Sequence, residues 1–391
     1  MRHRRVGKAE EPLDRIGVLA ALLARHAVDR LDVVVEVLGS LGQVGQVAVR
    51  KVDEPAPHLL LGQIDEVGAD AVKFQTFEAS ALVTSTAEKA RYQKAATEGA
   101  ESQREMLEQL QLDVETHFAL MRQAQALDLQ FMSTAFDSKS LYFLVKELDL
   151  PILKIPSGEI TNGPLLLEFA RTGRDLIIST GMSSMEEVQT ALSVLAFGLV
   201  GIGEPSMGAF RQAIASEKGQ MALRSKVTVL HCTTQYPAPP ESVNLQAMVS
   251  MGETFGLKMG YSDHTLGTAV ACAAVALGAR VIEKHITKDK RLLGPDHAAS
   301  LNPEEFKTLV DAVRTVEQSL GDGVKAPHKE EIENIPIARK SLVAARSIMK
   351  GEHFSPANVT AKRPGDKRSP MEYWDVMGQI AEKNYDADDW L

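Results

Sequence analysis

Lys154-Ile-Pro-Ser157-Gly-Glu159 sets a cation, a hydroxyl and a carboxylate in one short run. A lysine beside serine hydroxyls and glycine amides is suited to a phosphate. Ser179-Thr180-Gly181-Met182 stands just before an expected helix, whose first N–H groups and positive dipole end favour an anion. Lys73 is a third group of this kind. If these face one cavity, they point to a small phosphorylated acid. The alternative is a set of separate surface ion pairs. Ser262-Asp263-His264 and Glu283-Lys284-His285 form a second constellation. His264 and His285 can offer imidazole nitrogen to a divalent metal, with Glu283 and Asp296 as nearby carboxylates. Two ligands leave an open site that water or substrate would complete. A histidine pair held by carboxylates for structural reasons is the competing reading, and spacing does not separate the two.

These residues need elements to position them. Seven short apolar runs recur at 71–75, 129–134, 152–157, 175–180, 227–232, 258–263 and 280–286. Most are too short for helices and are bounded by Gly, Pro or Ser. Helical patterns alternate with them, at 103–126, 185–196 and 269–277. Strict alternation implies βα units around a parallel sheet. Seven in series approach the eight of a (β/α)8 TIM barrel. A doubly wound sheet is the alternative, but no Gly-x-Gly-x-x-Gly follows an early strand. The polar residues favour the barrel. Lys73, Gln75, Thr134, Lys154, Ser157, Ser179, His231, Ser262, His264, Glu283 and His285 all fall at or just past the ends of the runs. A barrel gathers those ends on one face.

Residues 304–319 form another expected helix, followed by a polar, Gly- and Pro-containing linker over 321–334. Residues 335–391 hold short strand patterns and turns, as expected of a small β-rich module. The net charge of −9 argues against a general nucleic-acid binder. No apolar run is long enough for a membrane span. Two cysteines without CxxC spacing suit a reducing cytosol rather than a disulfide scaffold. Arg2-His3-Arg4-Arg5 and the apolar stretch 16–24 imitate a signal peptide, but Glu10, Glu11 and Asp14 interrupt them, so a cytoplasmic protein is expected.

The motifs now assembled carry a resemblance. GADAVKFQTF (68–77), KIPSGEITN (154–162), STGM (179–182), HCTTQYPAPPESVNL (231–245), GYSDHTLG (260–267), EKHIT (283–287) and GPDHAAS (294–300) resemble the sialic acid synthase family. ARKSLVAAR (338–346), KRPG (362–365) and SPMEYWDVMG (369–378) resemble its antifreeze-like (SAF) domain. The resemblance implies condensation of phosphoenolpyruvate with an N-acetylmannosamine-like sugar, giving a nine-carbon 2-keto sugar acid and phosphate. It implies phosphoenolpyruvate contacts at Lys73, Thr134, Lys154, Ser157, Ser179 and Ser262. Metal ligands are implied at His264 and His285, for Mn²⁺, or Mg²⁺ or Co²⁺. Glu159, Glu283 and Asp296 match acidic site positions, and Tyr236 a sugar contact. Arg363 matches an arginine that one subunit extends into its partner, which implies a domain-swapped homodimer. The product expected first is of the N-acetylneuraminate type. Thr234, where some sialate synthases have Asn, keeps legionaminate and pseudaminate as alternatives.

The chain departs from the family pattern at its start. The family opens on E-I-G-x-N-H-x-G, which supplies the first barrel strand and an active-site glutamate. Nothing in residues 1–65 matches it, and the first 73 residues hold no Phe, Trp or Tyr. A helix at 16–31 and a substitute strand around 32–38 are the elements the segment offers. The expectation is a loosely packed amino-terminal segment, a synthase barrel over 66–320, and an inactive ligand-binding relative if the first strand is missing.

Overall fold

In the computed structural model, eight parallel strands close into a barrel in the order β1 to β8. The structure describes residues 32–37, 64–90, 93–94, 102–201, 203–292 and 296–391. The strands are β1 (Asp32–Val37), β2 (Ala71–Thr76), β3 (Gln130–Ala135), β4 (Ile152–Ile155), β5 (Asp175–Ser179), β6 (Val227–Cys232), β7 (Lys258–Asp263) and β8 (Val281–Ile286). Seven of them match the expected runs to within two residues at either end.

The eighth corrects the boundary drawn at residue 66. Asp32–Val37 pairs with β8 from Asp32↔Val281 to Val37↔Ile286, and with β2 from Val34↔Ala71 to Glu36↔Lys73. Without it, β2 and β8 would each present an unpaired edge. A valine-rich run meets that demand without matching the family motif, because closure needs backbone hydrogen bonds and apolar faces, not particular side chains. Asp70 fastens the start of the strand: its Oδ2 accepts from the Val33 amide at 2.7 Å and is paired with Arg314. The helix expected over 16–31 lies outside the described residues.

Alternation along each strand sorts the side chains. One set, including Phe74, Phe131, Leu153, Ile178, Val229 and Ile282, faces outward into the main core beneath the helices. The other set faces the barrel axis. Its lowest layer is Val34, Ala71, Met132, Ile177, Leu230 and Val281, an apolar floor. Gly260 belongs to that floor: a Cβ there would lie 2.5 Å from Leu230 Cδ2 and 2.6 Å from the Val281 carbonyl oxygen. The layer above it is polar and forms the site described below.

The helices follow local signals. The pattern expected as one helix over 103–126 is two, α1 (Gln103–Leu110) and α2 (Val114–Ala126). Asp113 breaks it by accepting from the Thr116 amide at 2.7 Å, an N-cap that starts a new helix. Then come α3 (Ser138–Lys146), α4 (Gly163–Arg171), α5 (Met185–Val200), α6 (Met207–Ala215), α7 (Glu217–Lys226), α8 (Leu245–Phe255), α9 (Ala269–Ala276) and α10 (Pro303–Ser319). Capping boxes open α1, α5 and α10 at Ser102, Ser184 and Asn302.

The chain divides into two compact units, Met1–Gly321 and Asp322–Leu391. The second holds the antiparallel pair β9 (Ser341–Ala344) and β10 (Val359–Lys362). Its own small core includes Leu342, Ile348, Phe354, Val359 and Val376. Between Asp322 and β9 the chain makes short helical turns at Lys329–Ile332 and Ile335–Ala338. Among the described residues, no helix is long and apolar enough to cross a membrane.

Candidate active site

Above the apolar floor, the inward positions change character two residues further along each strand. Ala71 gives way to Lys73, Met132 to Thr134, Ile152 to Lys154, Ile177 to Ser179, Leu230 to Cys232, Gly260 to Ser262 and Val281 to Glu283. Lys73, Thr134, Lys154, Ser179, Ser262 and Glu283 are all buried. They line a cavity of about 410 Å³ at the carboxyl ends of the strands. Gln75, Ser157, Thr234, Tyr236, His264, His285 and Asp296 line it as well.

Two more residues were put forward from sequence. Glu159 is outside the cavity lining; it accepts from Asn162 Nδ2 at 2.7 Å, in the turn that caps α4. Arg363 is exposed and belongs to the second unit, where Pro364 O accepts from Ser341 Oγ and Pro336 O from the Gly365 amide. A third group escaped sequence reasoning. Met106, Leu107 and Leu110 of α1, with Phe77, Leu82 and Met182, give the cavity an apolar side. Their signal was the helical spacing of 106, 107 and 110, which equally describes a core-facing helix.

The charges form one buried cluster. Glu283 Oε2 lies 3.5 Å from Lys73 Nζ, and its Oε1 lies 3.7 Å from Lys154 Nζ. Ser262 Oγ donates to Glu283 Oε1 at 2.8 Å. Lys154 Nζ donates to Ser179 Oγ at 2.6 Å, and Lys73 Nζ approaches Thr134 Oγ1 at 3.4 Å. The two ammonium groups and the hydroxyls around them are groups that pair with a phosphate or a carboxylate. Ser157 Oγ, accepting from the Gly181 amide at 2.9 Å, sits at the rim of the same region.

The histidines stand one layer higher. His264 and His285 have ring centroids 5.2 Å apart, and Tyr236 packs on both at 4.1 and 5.8 Å. His264 Nδ1 donates to Thr233 O at 2.7 Å, which leaves Nε2 as the unprotonated nitrogen of a neutral ring. Cys232 Sγ lies 3.9 Å from the same Nδ1. Burial raises the Cys232 thiol, but His264 and Lys154 beside it outweigh that and hold it below its ordinary range. Among the described residues, no cluster of three or more His, Cys, Asp and Glu is arranged to hold a metal. His264 and His285 are the two imidazoles at this mouth that could take part in holding a cation.

A second ion pair braces these strands from outside the barrel. Asp263 and Lys284 are register partners, and Lys284 Nζ meets Asp263 Oδ2 at 2.8 Å with both side chains fully buried. Lys284 Nζ also donates to Thr265 O at 2.5 Å, while Asp263 Oδ1 accepts from the Thr265 amide and hydroxyl, each at 2.8 Å. Burial pulls the Lys284 ammonium below its ordinary range, against the pull of Asp263. The brace fixes the turn after His264. Lys284→Met would strand a buried carboxylate, and the expected loss of unfolding free energy is about 3–5 kcal/mol. Urea unfolding measures it; a loss below about 1 kcal/mol would show that the pair is not a brace.

Comparison with known proteins agrees with this geometry. Residues 60–325 match the NeuB family and residues 339–391 the SAF domain. An N,N'-diacetyllegionaminic acid synthase of Campylobacter jejuni is 47% identical over 324 residues, covering 83% of this chain and 90% of that protein. A pseudaminic acid synthase of Helicobacter pylori is 32% identical, covering 83% and 88%. The crystal structure of an N-acetylneuraminic acid synthetase from Leptospira borgpetersenii superposes with a TM-score of 0.60 at 27% identity, covering 78% of this chain and 90% of that one. The closed barrel, its charged mouth and the carboxyl-terminal module thus belong together: this chain is a member of the NeuB family of sialic acid and related nonulosonate synthases, with an SAF domain at its carboxyl end.

Proposed function

We propose that the protein condenses phosphoenolpyruvate with an acetamido sugar to give a nine-carbon 2-keto sugar acid and phosphate. The observation that carries this is the buried Lys73–Glu283–Lys154 cluster facing a cavity beneath two histidines. The acceptor we favour carries two acetamido groups, as in legionaminate-type products. Relatives named for N,N'-diacetyllegionaminic acid are 47% and 43% identical, against 32% for those named for pseudaminic acid or for the human N-acetylneuraminate-9-phosphate synthase. This moves the neuraminate-type product from first expectation to alternative. The reading of an inactive relative rested on a missing first-strand motif; β1 supplies the strand, the motif with its glutamate is still absent from residues 1–65, and the turnover test below decides between the two readings.

In this reading Lys73, Lys154, Thr134, Ser157, Ser179 and Ser262 hold the phosphate and carboxylate of phosphoenolpyruvate. His264 and His285 would hold a divalent ion, Mn²⁺ or else Mg²⁺ or Co²⁺. Such an ion, when bound, polarises the aldehyde oxygen of the open-chain sugar. Tyr236 packs against both imidazoles. The methylene carbon of phosphoenolpyruvate forms a bond to the aldehyde carbon as the C=C and C=O π bonds break, leaving a cationic C2 and an alkoxide that takes up a proton to become the sugar hydroxyl. Water then adds to the cationic C2 with its proton passing to Glu283, and the tetrahedral centre expels phosphate with cleavage of the C–O bond. Asp296 lines the cavity as a further carboxylate. Two unpaired cysteines are consistent with a cytoplasmic enzyme. The test is phosphate release from phosphoenolpyruvate with a panel of mono- and diacetamido sugars; release with none of them would end the proposal.

Two further expectations arise here. Lys154→Ala removes a charge-assisted contact to the phosphate, so the KM for phosphoenolpyruvate should rise about ten- to a hundredfold (about 1.5–3 kcal/mol). A change confined to the KM of the sugar would contradict the assignment. Arg363 is proposed to act in trans within a domain-swapped homodimer. Dimers mixed from an Arg363→Ala chain and a chain lacking His264 and His285 should then recover activity, because one of their sites has both parts. Verified mixed dimers that stay inactive would place the arginine in its own subunit.

A further inference from the structure

A second cavity, of about 460 Å³, adjoins the first between the β5 and β6 loops. Met182, Cys232 and Thr234 line both, so they stand at the boundary between them. The two spaces differ in chemistry. The first carries two lysines and two carboxylates. No Lys, Arg, Asp or Glu is among the described residues lining the second; they are hydroxyls, Asn244, the His231 imidazole, the Cys232 thiol, aliphatic side chains and the thioethers of Met182, Met185 and Met251. Burial holds the His231 imidazole below its ordinary range, so this lining carries no fixed side-chain charge. It suits a small neutral group with an amide at one end and a methyl at the other.

Two observations show polar groups there awaiting a partner. Thr234 Oγ1 is buried and has no hydrogen-bond partner within the protein. A buried hydroxyl in that state is costly unless something bound satisfies it. Asn244, the N-cap of α8, makes no side-chain cap, so the first amides of that helix lack the acceptor a cap supplies. At that boundary Thr234 packs closely on Gly181: a Cβ there would come within 2.2 Å of Thr234 Oγ1.

We propose that this side cavity receives one of the two acetamido groups of the acceptor sugar, with Thr234 selecting for it. The proposal rests on the diacetamido reading given above. The methyl lies against the methionines, and the amide pairs with the Thr234 hydroxyl and the start of α8. An acceptor with a hydroxyl in place of that acetamido group leaves the thioethers uncovered and binds less well.

The experiment compares kcat/KM for two acceptor sugars that differ only by that acetamido group, always at saturating phosphoenolpyruvate. The ratio does not depend on the fraction of folded enzyme. Wild type should favour the diacetamido sugar. Thr234→Val keeps the shape and removes the hydroxyl, so the ratio should fall about five- to tenfold. Ala247→Phe, which fills the cavity from α8, should lower the ratio at least as far. Wild type that turns over neither sugar refutes the function and the subsite together. Wild type that prefers the monoacetamido sugar refutes the diacetamido reading. Wild type that prefers the diacetamido sugar, with both variants within twofold of its ratio, leaves the function standing and overturns this placement.

Discussion

Replacing His264 and His285 together by alanine is expected to reduce turnover by about a thousandfold or more. Polarisation of a carbonyl by a bound cation supplies several kcal/mol of stabilisation in the transition state, and about 4 kcal/mol corresponds to that factor. Both imidazoles stand over the charged cavity, and the hydrogen bond from His264 Nδ1 to Thr233 O turns its other nitrogen into a potential ligand. Chelation of the wild-type protein should give the same loss, and added Mn²⁺ should reverse it. In the double variant Mn²⁺ should have no effect, and its binding, measured by calorimetry, should vanish. Full activity in the double variant, or Mn²⁺ binding equal to wild type, would remove the metal assignment and leave the pair as a structural contact beneath Tyr236.

The second large effect is expected at Glu283. Glu283→Gln keeps a hydrogen-bond acceptor for Ser262 but removes the carboxylate that sits between Lys73 and Lys154. Two consequences separate its roles. Two buried ammonium groups lose the carboxylate that both approach, which should cost about 3–5 kcal/mol of unfolding free energy. Inorganic phosphate should restore part of that stability, because it supplies the missing negative charge and binds only the folded protein. The proposed proton acceptor is also gone, so kcat should fall about a hundred- to ten-thousandfold even at saturating phosphoenolpyruvate. Denaturant unfolding with and without phosphate measures the first effect, and steady-state kinetics the second. A kcat within threefold of wild type would leave Glu283 a purely electrostatic support for the lysines.

Seven of the strands were legible in the sequence because each is a short apolar run that ends in a polar residue. Lys73, Thr134, Lys154, Ser179, Ser262 and Glu283 were legible for the same reason: chemistry at the end of a buried strand contradicts packing, so it stands out. Glu159 met the same test, and its carboxylate has a local partner. Its turn follows β4, and its carboxylate serves Asn162 at the cap of α4 instead of the cavity. Local sequence does not distinguish a carboxylate that caps a helix from one that faces a site.

The sequence by itself determined the βα alternation, the parity of each strand and hence which side chains share the barrel axis, since a period of two leaves no freedom once one face is apolar. Tertiary structure alone decided three things. It chose Asp32–Val37 to close the barrel, because a strand is accepted there for its backbone bonds to β2 and β8 rather than for a motif. It set Glu283 between two lysines that lie far from it in the chain, a distance that depends on the curvature of the closed sheet. It placed the β5 and β6 loops side by side, so that Gly181 packs on Thr234 at the boundary of two cavities with different linings. Contacts of that kind join residues with no local relation, and the free energy that fixes them comes from packing the whole barrel.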